Sequence, residues 1–254
     1  MKIAYNHLIQ CINENPSIGD ISNKLFQLGH EHEIENGIFD IEFTPNRGDC
    51  LSVNGLLRDL AVFYSTKNSQ DIYEEEIEQL SIDFENLSKE ACPKISFLKL
   101  QIEDLPTKYK GRLKNYFSDL DINPNNFFTD ISNYLSYETG QPTHCYDAER
   151  INSRISFKEI DGNNEFETLL NKKVSLSGKN AVFLQDNEVI NLAGVMGGKN
   201  TSCSNKTKNV LIECAFFNPE SIIGKSVKYD IQSEAAHKFE RGVDMGCHDE
   251  VLRR

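Results

Sequence analysis

A chain of 254 residues with 39% hydrophobic side chains is long enough to bury one large core or two ordinary ones, which excludes a miniprotein held together by staples alone. Its seven cysteines are odd in number, scattered and never spaced C-x-x-C, so they argue against a disulfide framework and a zinc site and read as reduced, mostly buried thiols of a cytoplasmic protein. A net charge of −12 counts against nucleic acid as a partner of the surface as a whole.

That charge is unevenly placed. Residues 71–90 hold eight acids against Lys89, and Lys108, Lys110, Arg112 and Lys114 alternate just downstream. The basic run reads first as a solvated face and second as a phosphate contact. The start lacks a sustained apolar stretch and no run of 18 apolar residues occurs, so neither secretion nor membrane spanning is indicated.

In chain order, Lys2 to Ile12 is apolar-rich. Ser17-Ile18-Gly19-Asp20 fits a capping box, Ile18, Ile21, Leu25 and Leu28 recur at helical spacing, and Gly29 is the expected stop. His30 and His32 would bind metal only from one strand face, and with no third ligand in view they read as a solvent-exposed helix end. Phe39 to Phe43 alternates as a half-buried strand, which Thr44 to Asp49 breaks. Asp49 is then the expected N-cap of a helix from Cys50 to about Tyr64, with Leu56, Leu57, Leu60, Ala61 and Phe63 on its apolar face. The acidic stretch that follows reads as a linker, with at most a short solvated helix.

After Pro93 a strand is expected over Lys94 to Leu100 and a helix over Lys110 to about Leu120. Phe127 to Tyr137 is apolar and aromatic with Asn133 set inside it; a buried asparagine must hydrogen-bond, so Asn133 braces the turn at Thr139 to His144 or faces a pocket. Strands are expected at Ile155 to Ile160, Phe166 to Leu170, Val174 to Leu176, Ala181 to Leu184, Val189 to Leu192 and Val210 to Ala215. The fold class is therefore α+β, a small N-terminal α+β domain joined to a larger β-rich one.

Four features carry candidate chemistry. Asn191-Leu-Ala-Gly-Val-Met-Gly-Gly198 is either a tight glycine turn ending a strand or a pocket wall of exposed backbone. Glu213 sits in the apolar run Val210 to Phe217, where it points to solvent by alternation or works in a cavity. His144 alone reads as a structural hydrogen-bonder. Ser233 to Arg241 is helical, with Gly242 as its stop.

Together these stretches resemble the beta subunit of bacterial phenylalanyl-tRNA synthetase in its N-terminal part. The likeness is carried by Glu42-Phe43-Thr44-Pro45-Asn46-Arg47-Gly48-Asp49-Cys50-Leu51-Ser52, by Asp130 to Tyr134 leading to Gly140-Gln141-Pro142-Thr143-His144, by Leu192 to Gly198, and by His237 to Asp244. The resemblance implies a B1-like domain over residues 1–66, an acidic linker over 67–92, a B3/B4-type editing domain over 93–245 and the start of a further segment at 246–254. In that family the B3/B4 domain hydrolyses tyrosine wrongly attached to phenylalanine tRNA.

Carried over by motif, the implied catalytic residues are His144, Glu213 and Ser233, the last standing where the family has threonine. The implied substrate-binding residues are Asn133, Ala193, Gly194, Glu213 and Ala235. The glutamate would accept a hydrogen bond from the tyrosine hydroxyl, His144 would position water or the terminal ribose, and N–H groups of the glycine turn would stabilise the oxyanion. Enlarging Ala193 or Gly194 should then abolish hydrolysis and leave the fold intact. No metal or cofactor is expected in this region; ATP and Mg²⁺ are implied for the complete synthetase, a heterotetramer with the alpha subunit. The implied partners are mischarged phenylalanine tRNA and that alpha subunit, with no membrane.

Three departures qualify the likeness. The family's oligonucleotide-binding insertion before Phe39 is replaced by a short connection, Asn123 stands where arginine is common, and the sequence ends at Arg254 as a fragment or reduced protein would. The alternatives are a free-standing aminoacyl-tRNA deacylase and a non-catalytic RNA-binding or subunit-assembly module.

Overall fold

The computed structural model describes residues 1–67 and 72–254. Asp71 and the first residues after the start of the expected acidic linker lie outside the described residues.

The N-terminal module runs β1 (Lys2–Ala4), α1 (Tyr5–Gln10), α2 (Ile18–Gln27), β2 (Glu31–Glu35), β3 (Ile38–Glu42) and α3 (Val53–Leu60). Its antiparallel sheet has the order β1-β3-β2. The capping box forms as expected: Asp20 N–H donates to Ser17 Oγ at 3.2 Å and Ser17 N–H to Asp20 Oδ2 at 3.1 Å. Gly29 ends α2 at φ +81°, where a side chain would be strained.

Two local expectations are corrected here. The N-cap of α3 is Ser52, whose Oγ accepts from Gly55 N–H at 2.9 Å, because a 3₁₀ turn at Gly48–Cys50 comes first. Asp49 instead pairs with Arg47 at 3.0 Å. Nor is His30 an exposed helix end: it is 3% exposed and its Nε2 lies 2.9 Å from Asp59 Oδ2, while His32 Nε2 meets Ser22 Oγ at 2.9 Å.

Cys50 and Asp59 bring the missing ligands near His30, all three donor atoms lying within 4.8 Å of one another. The Arg47 guanidinium already occupies the cluster, with Nη2 2.6 Å from Asp59 Oδ2 and 2.7 Å from Cys50 Sγ. The cluster therefore carries its own cation.

The close packing of α3 on this turn gives a first test. A Cβ built on Gly55 would lie 1.9 Å from Asp49 O, and backbone cannot yield as a side-chain tip does. Gly55→Ala is expected to cost about 1–3 kcal/mol of unfolding free energy, read by urea titration.

The remainder runs β4 (Phe84–Asn86), β5 (Lys94–Gln101), α4 (Gly111–Asp119), α5 (Phe127–Thr139), β6 (Thr143–Asp147), β7 (Ile155–Ile160), β8 (Asn164–Glu167), β9 (Lys173–Leu176), β10 (Asn180–Gln185), β11 (Glu188–Leu192), β12 (Met196–Gly197), β13 (Asn209–Phe216), α6 (Pro219–Ile222), α7 (Lys225–Lys228), α8 (Glu234–Arg241) and α9 (His248–Arg253). A five-stranded sheet has the order β12-β11-β10-β7-β4, a three-stranded sheet the order β5-β13-β6, and β8 pairs with β9. The chain is thus α+β, with the sheets concentrated in its second part. Among the described residues no helix is long and apolar enough to cross a membrane.

The acidic stretch is more than a linker. Its Phe84–Asn86 pairs in parallel with β7, and no described residue of it is helical. Earlier in it, Tyr73 N–H donates to Arg253 O at 2.9 Å and Arg253 Nη1 donates to Glu75 O at 3.0 Å, so the segment is strapped to α9. Burial also ignores the expected boundary. The core formed by Ile3, Leu8, Leu25, Phe39 and Leu56 includes Tyr116 and Phe117 of α4 and Tyr134 and Tyr137 of α5. A second core gathers the sheet residues Tyr146, Phe157, Phe183 and Leu192 with Phe217, Ile222 and Phe239.

Candidate active site

Strand geometry brings the sequence candidates together. His144 lies on β6, a strand where a continuing turn was expected, and β6 pairs antiparallel with β13 so that His144 faces Glu213 directly. Directly opposed residues project to one face, and alternation puts Tyr146 on that same face, diagonal to Glu213. The Tyr146 hydroxyl donates to Glu213 Oε2 at 2.7 Å. Asn191 of β11 donates from Nδ2 to the Tyr146 oxygen at 2.8 Å and reaches Glu213 Oε2 at 3.4 Å.

Glu213 is 4% exposed, so alternation does not carry it to solvent; the β11–β12 hairpin and α8 cover this face. Burial pushes its carboxyl up to about 8, opposed by the Tyr146 hydrogen bond. His144 packs edge-on against Tyr146 with ring centroids 4.4 Å apart. Its Nε2 is sealed without a hydrogen-bond partner among the described residues, and desolvation pulls its pKa down to about 4. A neutral imidazole therefore stands beside a carboxyl that is largely protonated at neutral pH.

The glycine stretch is both of the things it could have been. Leu192 pairs with Met196 and Asn191 with Gly197, so Ala193, Gly194 and Val195 form a hairpin turn with Gly194 at φ +68°. The same hairpin walls a recess of about 60 Å³ lined by His144, Asn191, Gly194, Met196, Glu213 and Ala235, among others. The N–H groups of Ala193, Val195 and Gly198 are spent on Ala181 O, Leu192 O and Ile190 O. That of Gly194 has no protein acceptor among the described residues.

The remaining candidates are placed differently. Ala193 is 1% exposed and packed in the core. A Cβ on Gly194 would meet Ile222 Cδ1 at 2.9 Å and Phe217 Cδ2 at 3.0 Å. The expectation that enlarging either leaves the fold intact is therefore corrected: both are packing positions. Ser233 caps α8, accepting from Ala236 N–H at 3.1 Å and donating to Val195 O at 2.7 Å. Its hydroxyl is engaged in tying α8 to the hairpin, with both roles filled. Asn133 is exposed on α5 and lines a larger cavity of about 540 Å³ with Ser132, Tyr116 and Lys238. Pro142, Thr143 and Ala235 wall both spaces, so the cavity adjoins the recess and Asn133 stands outside it.

Lys238 is 5% exposed; its Nζ donates to Ser136 Oγ at 3.0 Å and also to Ser136 O, near the C-terminus of α5, where carbonyl dipoles favour a cation. Of the basic run, Arg112 reaches Glu138 at 3.4 Å, while Lys108, Lys110 and Lys114 are exposed.

Sequence reasoning gave no role to Tyr146, Asn191 or Gln141. Gln141 is 1% exposed and donates from Nε2 to Pro142 O and Ala215 O, both at 2.9 Å, which pins the entry to β6 onto the end of β13. A polar residue in the apolar run Val189 to Leu192 was a readable sign for Asn191. Tyr146 gave none, because its strand was hidden behind a turn-like Gly-Gln-Pro.

The sequence model of a family described as the B3/4 domain matches residues 100–254. The phenylalanine–tRNA ligase beta subunit of Psychrobacter arcticus is 33% identical over 220 residues, covering 83% of this chain and 27% of that protein. That of Fusobacterium nucleatum is 32% identical over 226 residues, covering 85% of this chain and 28% of its own length. The chain thus spans little more than a quarter of these relatives. A solved N-terminal fragment of the phenylalanyl-tRNA synthetase beta-subunit from Pyrococcus horikoshii aligns over 85% of this chain and 67% of that one at 14% identity, with a TM-score of 0.45.

Proposed function

The chain belongs to the family that carries the B3/4 domain, and from that premise we propose that its recess hydrolyses the ester of tyrosine on phenylalanine tRNA, as part of a phenylalanine–tRNA ligase beta subunit. The carrying observation is Glu213, a buried carboxyl opposite His144 at the wall of the recess. A site built to hydrogen-bond a hydroxyl rejects the analogue lacking it, because the buried polar group is then left unpaired.

The mechanism assigned to these residues is positional. A base with a pKa near 4 accepts protons poorly at neutral pH, so His144 orients the attacking water through Nε2 once the recess wall yields to the substrate. The water oxygen bonds to the acyl carbon, the acyl–ribose oxygen bond breaks, and the water's proton passes to the departing ribose oxygen. The Gly194 N–H, left without a protein acceptor among the described residues at the wall of the recess, is the donor assigned to the developing oxyanion, and Asn133 and Ser132 of the adjoining cavity are assigned to the terminal nucleotide. The recess of about 60 Å³ is smaller than the ~150 Å³ that admits a benzene ring. A phenol therefore enters as the flexible Met196 wall gives way.

ATP and Mg²⁺ do not fit this recess, which offers one carboxyl shifted toward its neutral form and little room. No step here runs through them; they belong to the complete ligase, with its alpha subunit. The test is incubation of the chain with tyrosyl- and phenylalanyl-tRNA. Tyrosine release above the tRNA-alone rate, lost by about 10²-fold in His144→Ala, supports hydrolysis. A rate equal to tRNA alone indicates a non-catalytic module.

A further inference from the structure

Glu213 already has a phenol bound to it, and that phenol belongs to the chain. Tyr146 is 0% exposed and its hydroxyl is saturated, donating to Glu213 Oε2 at 2.7 Å and accepting from Asn191 Nδ2 at 2.8 Å. Every hydrogen bond to Glu213 from the described residues falls on Oε2, while the residue lines the recess. The two donors come from β6 and β11, strands of two different sheets, so they fix the carboxyl plane from two directions.

We propose that Tyr146 and Asn191 are positioning residues that hold Glu213 by Oε2 and turn Oε1 toward the ligand, where it is the acceptor in the ionised form of the carboxyl, thereby setting the recess to recognise a side-chain hydroxyl. This deepens the hydrolytic reading and rests on it for the identity of the hydroxyl. A carboxyl with both oxygens unheld would rotate about its last torsion and present either edge, or its proton, to the ligand. Held by a phenol, one oxygen is committed and the ionised form is favoured; an ionised acceptor makes a shorter and roughly twofold stronger hydrogen bond.

The other groups around the carboxyl do not supply this bias. His144 of β6 is held neutral by burial. Cys145 of β6, Cys92 before β5 and Cys214 of β13 itself are thiols pushed up by burial, so they stay uncharged. At Glu213 the hydrogen bond from the Tyr146 hydroxyl opposes burial.

The test uses the full chain labelled with ¹³C at glutamate carboxyls, the Glu213 resonance being the one absent from Glu213→Gln. Tyr146→Phe is expected to raise the Glu213 titration by about one pH unit or more, with a smaller shift the same way for Asn191→Ala. The preference for tyrosyl over phenylalanyl ester at neutral pH should fall about tenfold, and its pH profile should move up by the same interval as the titration. A titration unmoved by Tyr146→Phe overturns the positioning role whichever esters are cleaved. A shifted titration in a chain that hydrolyses neither ester supports the positioning role and removes the hydrolytic reading instead.

Discussion

Alanine at position 213 is expected to lower tyrosyl-ester hydrolysis by about 10²-fold or more and to remove the preference over the phenylalanyl ester. Two effects combine. The substrate hydroxyl loses its acceptor, and the Tyr146 hydroxyl loses its own, leaving a buried donor unsatisfied at a cost of about 1–3 kcal/mol, while the Asn191 amide keeps the Tyr146 oxygen as acceptor. Deacylation kinetics on both esters read the first effect, and thermal unfolding reads the second.

Glutamine at the same position separates them. The Glu213 carboxyl titrates near 8 in the folded chain against an ordinary value of 4.5. Between those values the folded chain keeps a proton that the unfolded chain has released, so raising the pH favours unfolding. The contribution is fully present below about 4.5 and is lost as the pH rises through about 8. At about 1.4 kcal/mol per unit, several kcal/mol are at stake. His144, with its pKa lowered, acts in the opposite sense below 6.5, which leaves the interval from 6.5 to 8 as the cleanest window. There the Tm of the unsubstituted chain should fall relative to Glu213→Gln. Parallel curves would mean that the carboxyl ionises normally.

Gly197→Ala is expected to match the loss caused by removing His144 altogether. A Cβ at this position would lie 2.1 Å from His144 Cε1 and 2.7 Å from its Nε2, and the ring has Tyr146 on another side. The imidazole must therefore leave its place, and a displacement of about 1 Å suffices for a 10²-fold loss. The decisive comparison is the double substitution with His144→Ala. If Gly197 acts through the ring, the pair loses no more activity than either alone; additive losses would show that Gly197 matters for another reason.

How legible this site was depends on what kind of signal each part leaves. The helix at Ser17 is announced by local chemistry, a hydroxyl and a carboxylate three residues apart, and it forms as expected. β7, β10, β11 and β13 are announced by apolar runs, and the structure extends each by at most one residue at either end. β6 is not, because its residues satisfy the pleat only when β13 lies beside them. The same is true of the site. His144, Glu213, Gly194 and Ala235 converge on one recess, while Asn133 and Ser233 stand at its margin, one on an exposed helix face and one as a helix cap. Tyr146 escaped notice because an aromatic residue in sequence discloses its ring and conceals where its hydroxyl goes.

The shared burial of α4 and α5 with the first module bears on how the chain is made. Residues 1–60 emerge before residues 111–139 during synthesis, yet Ile3, Leu8 and Leu56 share a core with Tyr116, Phe117, Tyr134 and Tyr137. Translation proceeds at about 5–20 residues per second, so the nascent segment waits several seconds with an incomplete apolar face. During that interval its apolar face stays open, so a ribosome stalled before residue 139 would present an incomplete core rather than a finished domain.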